Sequence, residues 1–176
     1  MTAPEPAAAA PLRVRRATAA DAPVIACHRA RMFEDMGQLP PDAFDSLLIA
    51  AEVRLRDALA AGEYVGWLAM GADGDAVVGG AGAQRRLVLP HPYRLPDGTV
   101  AVAEGRHAIV LNVYTEPAWR RRGVAEELMR HVLRWAEEER LDRLVLHASH
   151  QGRALYERLG FVATNEMRYR GRSWVP

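Results

Sequence analysis

The stretch from Ile109 to Phe161 constrains this chain more than any other part of it. It opens with Ile109-Val110-Leu111-Asn112-Val113-Tyr114, an apolar strand pattern that Thr115-Glu116-Pro117 interrupts. The arginine-rich turn Arg120-Arg121-Arg122-Gly123-Val124-Ala125 then feeds a helix. Its apolar residues Ala125, Leu128, Met129, Val132, Trp135 and Ala136 recur at spacings of three and four. A second strand, Arg143 to Ala148, is followed by Ser149 to Phe161, which reads as a short helix carrying one tyrosine, Tyr156.

A strand that ends in a glycine turn and starts a helix aims unpaired backbone N–H groups, and the positive end of the helix dipole, at one point. That point suits an anion. Gly123 has no Cβ to keep a phosphate from the main chain, and Ala125 is nearly as small. The order Arg-x-x-Gly-x-Ala is not the dinucleotide fingerprint, which needs glycines at one-and-three spacing. It also lacks the lysine of a nucleoside-triphosphate loop, and every one of the 23 basic Lys/Arg positions is arginine. A diphosphate ligand of another kind is favoured.

This run resembles the coenzyme-binding core of the GNAT superfamily of N-acetyltransferases, in which Gln/Arg-x-x-Gly-x-Gly/Ala holds the pyrophosphate of coenzyme A. Ala154-Leu155-Tyr156-Glu157-Arg158-Leu159-Gly160-Phe161 is similar to the Leu-Tyr-Glu-x-x-Gly-Phe segment of the same family. The resemblance implies a mixed, mostly antiparallel sheet of six to seven strands flanked by about four helices. It implies acetyl-CoA as cofactor, with Arg120, Arg121, Arg122, Gly123, Val124, Ala125 and Glu126 around its diphosphate. Asn112, Val113, Tyr114 and Thr115 would offer a strand edge to the pantetheine arm. Ser149 stands where many relatives carry an asparagine that bonds this arm, and serine is shorter. Tyr156 would be the general acid: a phenol of pKa ~10 is protonated at pH 7 and can donate to a thiolate whose conjugate acid lies near ~8.5. The plain alternative for Tyr156 is a ring packed on the sheet.

Size and composition agree with one globular domain. A chain of 176 residues, 49% hydrophobic and 26% charged, reads as a soluble globular domain over residues 12–176 after an alanine- and proline-rich leader over residues 1–11, expected to be disordered. A net charge of +1 argues against a protein that coats nucleic acid. The single cysteine, Cys27, excludes an intramolecular disulfide. No run of apolar residues reaches membrane-spanning length and no signal-peptide order opens the chain, so a cytoplasmic location is expected. No metal is implied. Homodimers are common in the resembled family, which leaves a homodimer open here.

Upstream, Leu12 to Ala17 alternates as a strand, and Thr18 or Asp21 caps a helix from about Ala19 to Met36. A second helix runs from about Pro41 to Ala61. Glu63 to Met70 and Ala76 to Val88 read as paired strands around the turn at 71–75, and Pro90, Pro92 and Pro96 mark a loop or hairpin before the central strand. Asn165 to Tyr169 is a candidate last strand.

The acceptor, a primary amine of a small molecule or of a protein, is expected against Met32, Phe33, Glu34 and Asp35 at the end of the first helix, against the excursion 90–98, and near His147, whose intrinsic pKa suits a base. The plainer account is that Met32 and Phe33 pack the helix on the sheet and the carboxylates are solvated. Two other classes compete with an N-acetyltransferase: a non-catalytic acyl-CoA-binding domain, and a nucleic-acid module using Arg85, Arg86 and Arg120 to Arg122.

Overall fold

Alternating and wholly apolar strand segments, separated by helices with one apolar stripe, build a sheet covered on both faces. The computed structural model describes residues 12–71, 74, 76–95 and 97–167. Its elements are β1 (Arg13–Arg16), α1 (Ala22–Asp35), α2 (Phe44–Ala60), β2 (Tyr64–Met70), β3 (Val77–Leu87), β4 (His91–Arg94), β5 (Val100–Ala103), β6 (Arg106–Thr115), α3 (Val124–Glu138), β7 (Arg143–Leu146) and α4 (Arg153–Arg158). The main sheet has the order β1-β2-β3-β6-β7, antiparallel except for the β6–β7 pair, and β4 and β5 form a separate hairpin. The expected mostly antiparallel mixed sheet with four helices is therefore present, with its strands divided five and two among the described residues.

α3 lies on one face, burying Val124, Leu128, Met129, Val132 and Trp135 against Val65, Trp67, Ala83, Ala108 and Val110. Each such side chain contributes about 1.5–3 kcal/mol on leaving water. On the other face α1 and α2 bury Ala22, Ile25, Ala26, Ala51 and Leu55 against Tyr64 and Leu68, with Leu111 at the edge of that cluster. β2 is buried along its whole length because both faces are covered.

The two upstream helices start after short 3-10 turns at Ala19–Asp21 and Pro41–Ala43. Asp21 accepts from the Thr18 N–H at 2.8 Å and from the Arg15 guanidinium at 2.7 and 2.9 Å, and these partners pull its carboxyl down to about 2. β7 stops at Leu146, two residues before the sequence pattern ends. Of the candidate last strand, Asn165, Glu166 and Met167 form none, since Met167 is 94% exposed and finds no face to bury. Arg168 and Tyr169, like the leader 1–11, lie outside the described residues. Among the described residues no helix is long and apolar enough to cross a membrane.

Candidate active site

β6 organises the site by changing partners along its length. Residues 107–110 pair in parallel with 143–146 of β7, and the pairing then stops while β6 continues to Thr115. On its other side β6 stays paired to β3 through Tyr114↔Gly80 and Thr115↔Gly79. The end of β6 thus has an edge that no strand covers among the described residues. Thr115 Oγ1, at its tip, is buried with no hydrogen-bond partner among the described residues.

A bulge sets which way the side chains point there. Between Gly82↔Leu111 and Gly80↔Tyr114 the register gains one residue on β6, and Asn112 takes the left-handed region at φ 56°. Ala108 and Val110 face α3, and Leu111 faces the α1–α2 side. Asn112 turns to that side as well, since its amide donates to the Tyr64 hydroxyl at 3.0 Å and accepts from the Arg29 guanidinium at 2.7 Å. Val113 then returns to the α3 core, and the ring of Tyr114 lies 4.9 Å from that of His28 on α1. Asn112, Val113 and Tyr114 therefore hold the strand in place with their side chains, while the open edge is main chain.

The arginine turn sits at the N-terminus of α3. Gly123 caps the helix at φ 80° and Arg121 precedes it at φ 63°, so the chain coils left-handed twice in three residues. A Cβ placed on Gly123 would meet nothing within 4 Å, so the ground above this turn is open. Val124 points into the core and offers only its N–H, and Ala125 follows on the first helical turn. The arginines are not equivalent. Arg120 bonds Asp35, donates to the Thr115 carbonyl at 3.1 Å and lies 5.7 Å from the Tyr114 ring, so its charge is already engaged. Arg122 lies over Trp119 at 5.2 Å, and Arg121 is exposed. Glu126 is held by Arg130 at 2.7 Å and approached by Arg158 at 3.9 Å, which keeps its charge occupied.

Tyr156 stands on α4, beyond the end of β7. Its ring packs on the α3-side core and edge-on to Phe161 at 6.0 Å. Its hydroxyl has no hydrogen-bond partner among the described residues, and burial pushes the phenol above its ordinary value. Gly152 leaves room for this ring, because a Cβ there would stand 2.9 Å from Tyr156 Cε2. Ser149 Oγ accepts from the Gly152 N–H at 3.1 Å and so fixes the start of α4.

The acceptor-side residues are scattered. A cavity of roughly 250 Å³ opens on the α1–α2 face, lined by Arg29, Leu55, Tyr64, Gln84, Leu111 and Asn112 among others. None of Met32, Phe33, Glu34, Asp35 and His147 lines it, nor does the hairpin that follows Pro90. Phe33 adjoins it through its ring, which carries the Arg29 guanidinium at 4.9 Å. Asp35 is spent on Arg120, and His147 is exposed beside Glu166 at 2.9 Å. The sequence reading missed Arg29 and Tyr64. The available signal was an arginine at the helical spacing of Ala22, Ile25 and Ala26, where the stripe predicts an apolar residue. It also missed His28 and Glu116. His28 is buried, its Nε2 lies 3.5 Å from Glu116, and burial lowers its pKa against the opposing pull of that carboxylate. Glu116 is also paired with Arg31 at 2.8 Å, which ties α1 to the end of β6.

The acetyltransferase (GNAT) family model matches residues 29–161, a span that takes in the bulge, the arginine turn and Tyr156. The chain belongs to the GNAT family. Members of this family are acetyltransferases that use acetyl-CoA. Among solved structures this GNAT chain is similar to a GCN5-related N-acetyltransferase from Ralstonia eutropha JMP134, at 27% identity and a TM-score of 0.77 over 91% of this chain and 98% of that one. A predicted acetyltransferase from Clostridium acetobutylicum, solved with acetyl-CoA, shares 23% identity with a TM-score of 0.72 over 92% and 96% of the two chains. A glucosamine-6-phosphate N-acetyltransferase from Arabidopsis thaliana shares the fold at 10% identity, with a TM-score of 0.62 over 93% and 99%. No curated protein matches the sequence.

Proposed function

We propose that this protein is an acetyl-CoA-dependent N-acetyltransferase that acetylates a primary amine by direct attack on the thioester, with Tyr156 as general acid. The observation that carries this reading is the parting of β6 from β7 after Val110, which leaves 111–115 as an open main-chain edge leading to the uncrowded turn at Gly123. One extended ligand with a diphosphate at one end and amide groups along its arm fits both.

The residues present fit acetyl-CoA on three counts. The N–H groups of the first α3 turn point into open ground at Gly123, where the helix dipole favours an anion. The strand edge offers unpaired main-chain groups to an amide-bearing arm, and the orphaned Thr115 Oγ1 lies at that edge. Exposed Arg121 and Arg122 add positive charge beside the turn, whereas Arg120 braces the turn against Asp35.

When bound, acetyl-CoA supplies an activated acyl group, and transfer forms a C–N bond as the C–S bond breaks. Main-chain N–H groups of 112–115 that point away from β3 are the donors available to a developing oxyanion, each worth roughly 3 kcal/mol in a preorganised site. Tyr156 holds a proton throughout the neutral range, because burial raises its pKa. It gives that proton to the departing thiolate and recovers one from the acetylated amine through water.

A panel of amines and peptides incubated with acetyl-CoA, followed by release of free thiol, tests the reading. Tyr156→Phe is expected to keep its affinity for acetyl-CoA and to lose about 10²–10⁴-fold in kcat. Acetyl-CoA binding without thiol release on any amine would favour the binding domain instead.

A further inference from the structure

The cavity on the α1–α2 face holds a cation without a counter-ion. Arg29 reaches from α1 to Asn112 Oδ1 at 2.7 Å and rests on the Phe33 ring at 4.9 Å. Among the described residues no carboxylate comes within 4.0 Å of it, whereas Arg15, Arg31, Arg85, Arg120 and Arg153 are each paired with one. Burial lowers its pKa from the ordinary arginine value. A partly desolvated guanidinium with one neutral protein acceptor leaves most of its five N–H donors open to water or to a ligand in the cavity.

Its neighbours are donors too. Tyr64 is 4% exposed and its hydroxyl accepts from Asn112 Nδ2 at 3.0 Å. That leaves its own proton with no acceptor among the described residues, and burial pushes the phenol up to about 12, so the proton is permanent. Asn112 has both ends of its amide committed and is held in the left-handed region to do it. The arrangement exists because Gly82 is bare. A Cβ there would stand 2.0 Å from Tyr64 Oη, so the glycine makes the space that the hydroxyl occupies. The cavity therefore ends in a guanidinium and a phenol O–H, both donors. Asp57 and Glu63 also line it but make no ion pair with Arg29.

We propose that the acceptor is a small amino carboxylate whose carboxylate is held by Arg29 and Tyr64. The proposal rests on the N-acetyltransferase reading and names its substrate class. The same cavity is walled by Leu111 and Asn112, the residues of the β6 bulge, so a ligand anchored at Arg29 has the strand edge of the acetyl site alongside it. A volume of roughly 250 Å³ suits a compact molecule. That is slightly below the ~300 Å³ at which drug-sized pockets begin.

The test is a matched panel: glycine, β-alanine, 4-aminobutyrate and 6-aminohexanoate, each beside its carboxamide, assayed for thiol release with acetyl-CoA. At least one acid is expected to exceed its amide by about tenfold or more in kcat/KM, as a charged hydrogen-bonded pair allows. Arg29→Gln should abolish that preference chiefly through KM, and Arg29→Lys should restore part of it. Tyr64→Phe, which removes only the donor, should reduce the preference several-fold. Calorimetry with the N-acetylated form of the best acid gives a readout free of turnover, with binding expected in the native protein and lost in Arg29→Gln. Thiol release with equal use of acids and amides would overturn the proposal and leave the acetyltransferase reading intact. Failure to bind acetyl-CoA would overturn that reading, while Arg29-dependent binding of the acetylated acid would still support the anion site.

Discussion

Replacing Gly82 with alanine should be far more costly than its place in a strand suggests. Gly82 pairs with Gly66 and Leu111 and has no positive φ, so the backbone itself accepts a side chain. The damage is steric. An added Cβ would lie 2.0 Å from Tyr64 Oη and 2.2 Å from Cζ, and ordinary contact begins at 3.4 Å, so the ring must retreat by 1.4 Å or more. Tyr64 is 4% exposed and packed among Ile25, Leu55 and Leu68, so its ring can move only toward the cavity that it lines. Overpacking of this kind costs about 1–3 kcal/mol. Moving the hydroxyl also strands Asn112 Nδ2, a buried donor worth a further ~1–3 kcal/mol when unpaired. A loss of about 2–6 kcal/mol is therefore expected in urea unfolding followed by tryptophan fluorescence and circular dichroism. Tyr64→Leu removes the colliding atoms, so Gly82→Ala should cost at least about 1 kcal/mol less in that background. A loss below ~0.5 kcal/mol, or the same loss in both backgrounds, would refute the claim that Gly82 exists to house the tyrosine hydroxyl.

Two other perturbations have definite outcomes. Gly123→Val should cost about 1–2 kcal/mol, because a β-branched residue is strained at φ 80°, and should weaken acetyl-CoA binding in calorimetry by more than Arg121→Ala does. Asp21, held near 2 by Arg15 and Thr18, stabilises the fold fully above its unfolded pKa of 3.8 and loses that contribution as pH falls through 2. Urea unfolding between pH 5 and pH 2.5 should show Asp21→Asn about 1 kcal/mol less stable than the native protein at the upper pH, after allowance for solvent screening, with the gap closing at the lower.

Much of the fold was legible because it is local. The three-and-four spacing of Leu128, Met129, Val132 and Trp135 dictates α3 and its buried face, and the prolines at 90, 92 and 96 mark where the chain leaves the main sheet. The glycine turn that starts α3 was legible for the same reason, since Gly123 and the helix after it are adjacent in sequence. The bulge was not, because asparagine at position 112 adopts a left-handed conformation that only its distant partners Arg29 and Tyr64 enforce. The ties of Asp35 to Arg120 and of Arg31 to Glu116 likewise join residues 85 apart, which no local pattern reports. They explain why Asp35, at the end of α1, braces the arginine turn instead of lining the α1–α2 cavity.

Amide-resolved hydrogen exchange with and without acetyl-CoA bears most directly on the central claim, that one ligand spans the open edge of β6 and the α3 N-terminus. Saturating acetyl-CoA should slow exchange together at 113–115 and at 123–126, and leave α2 unchanged. Protection confined to one of these segments, or absent from both while the ligand is bound, would contradict it.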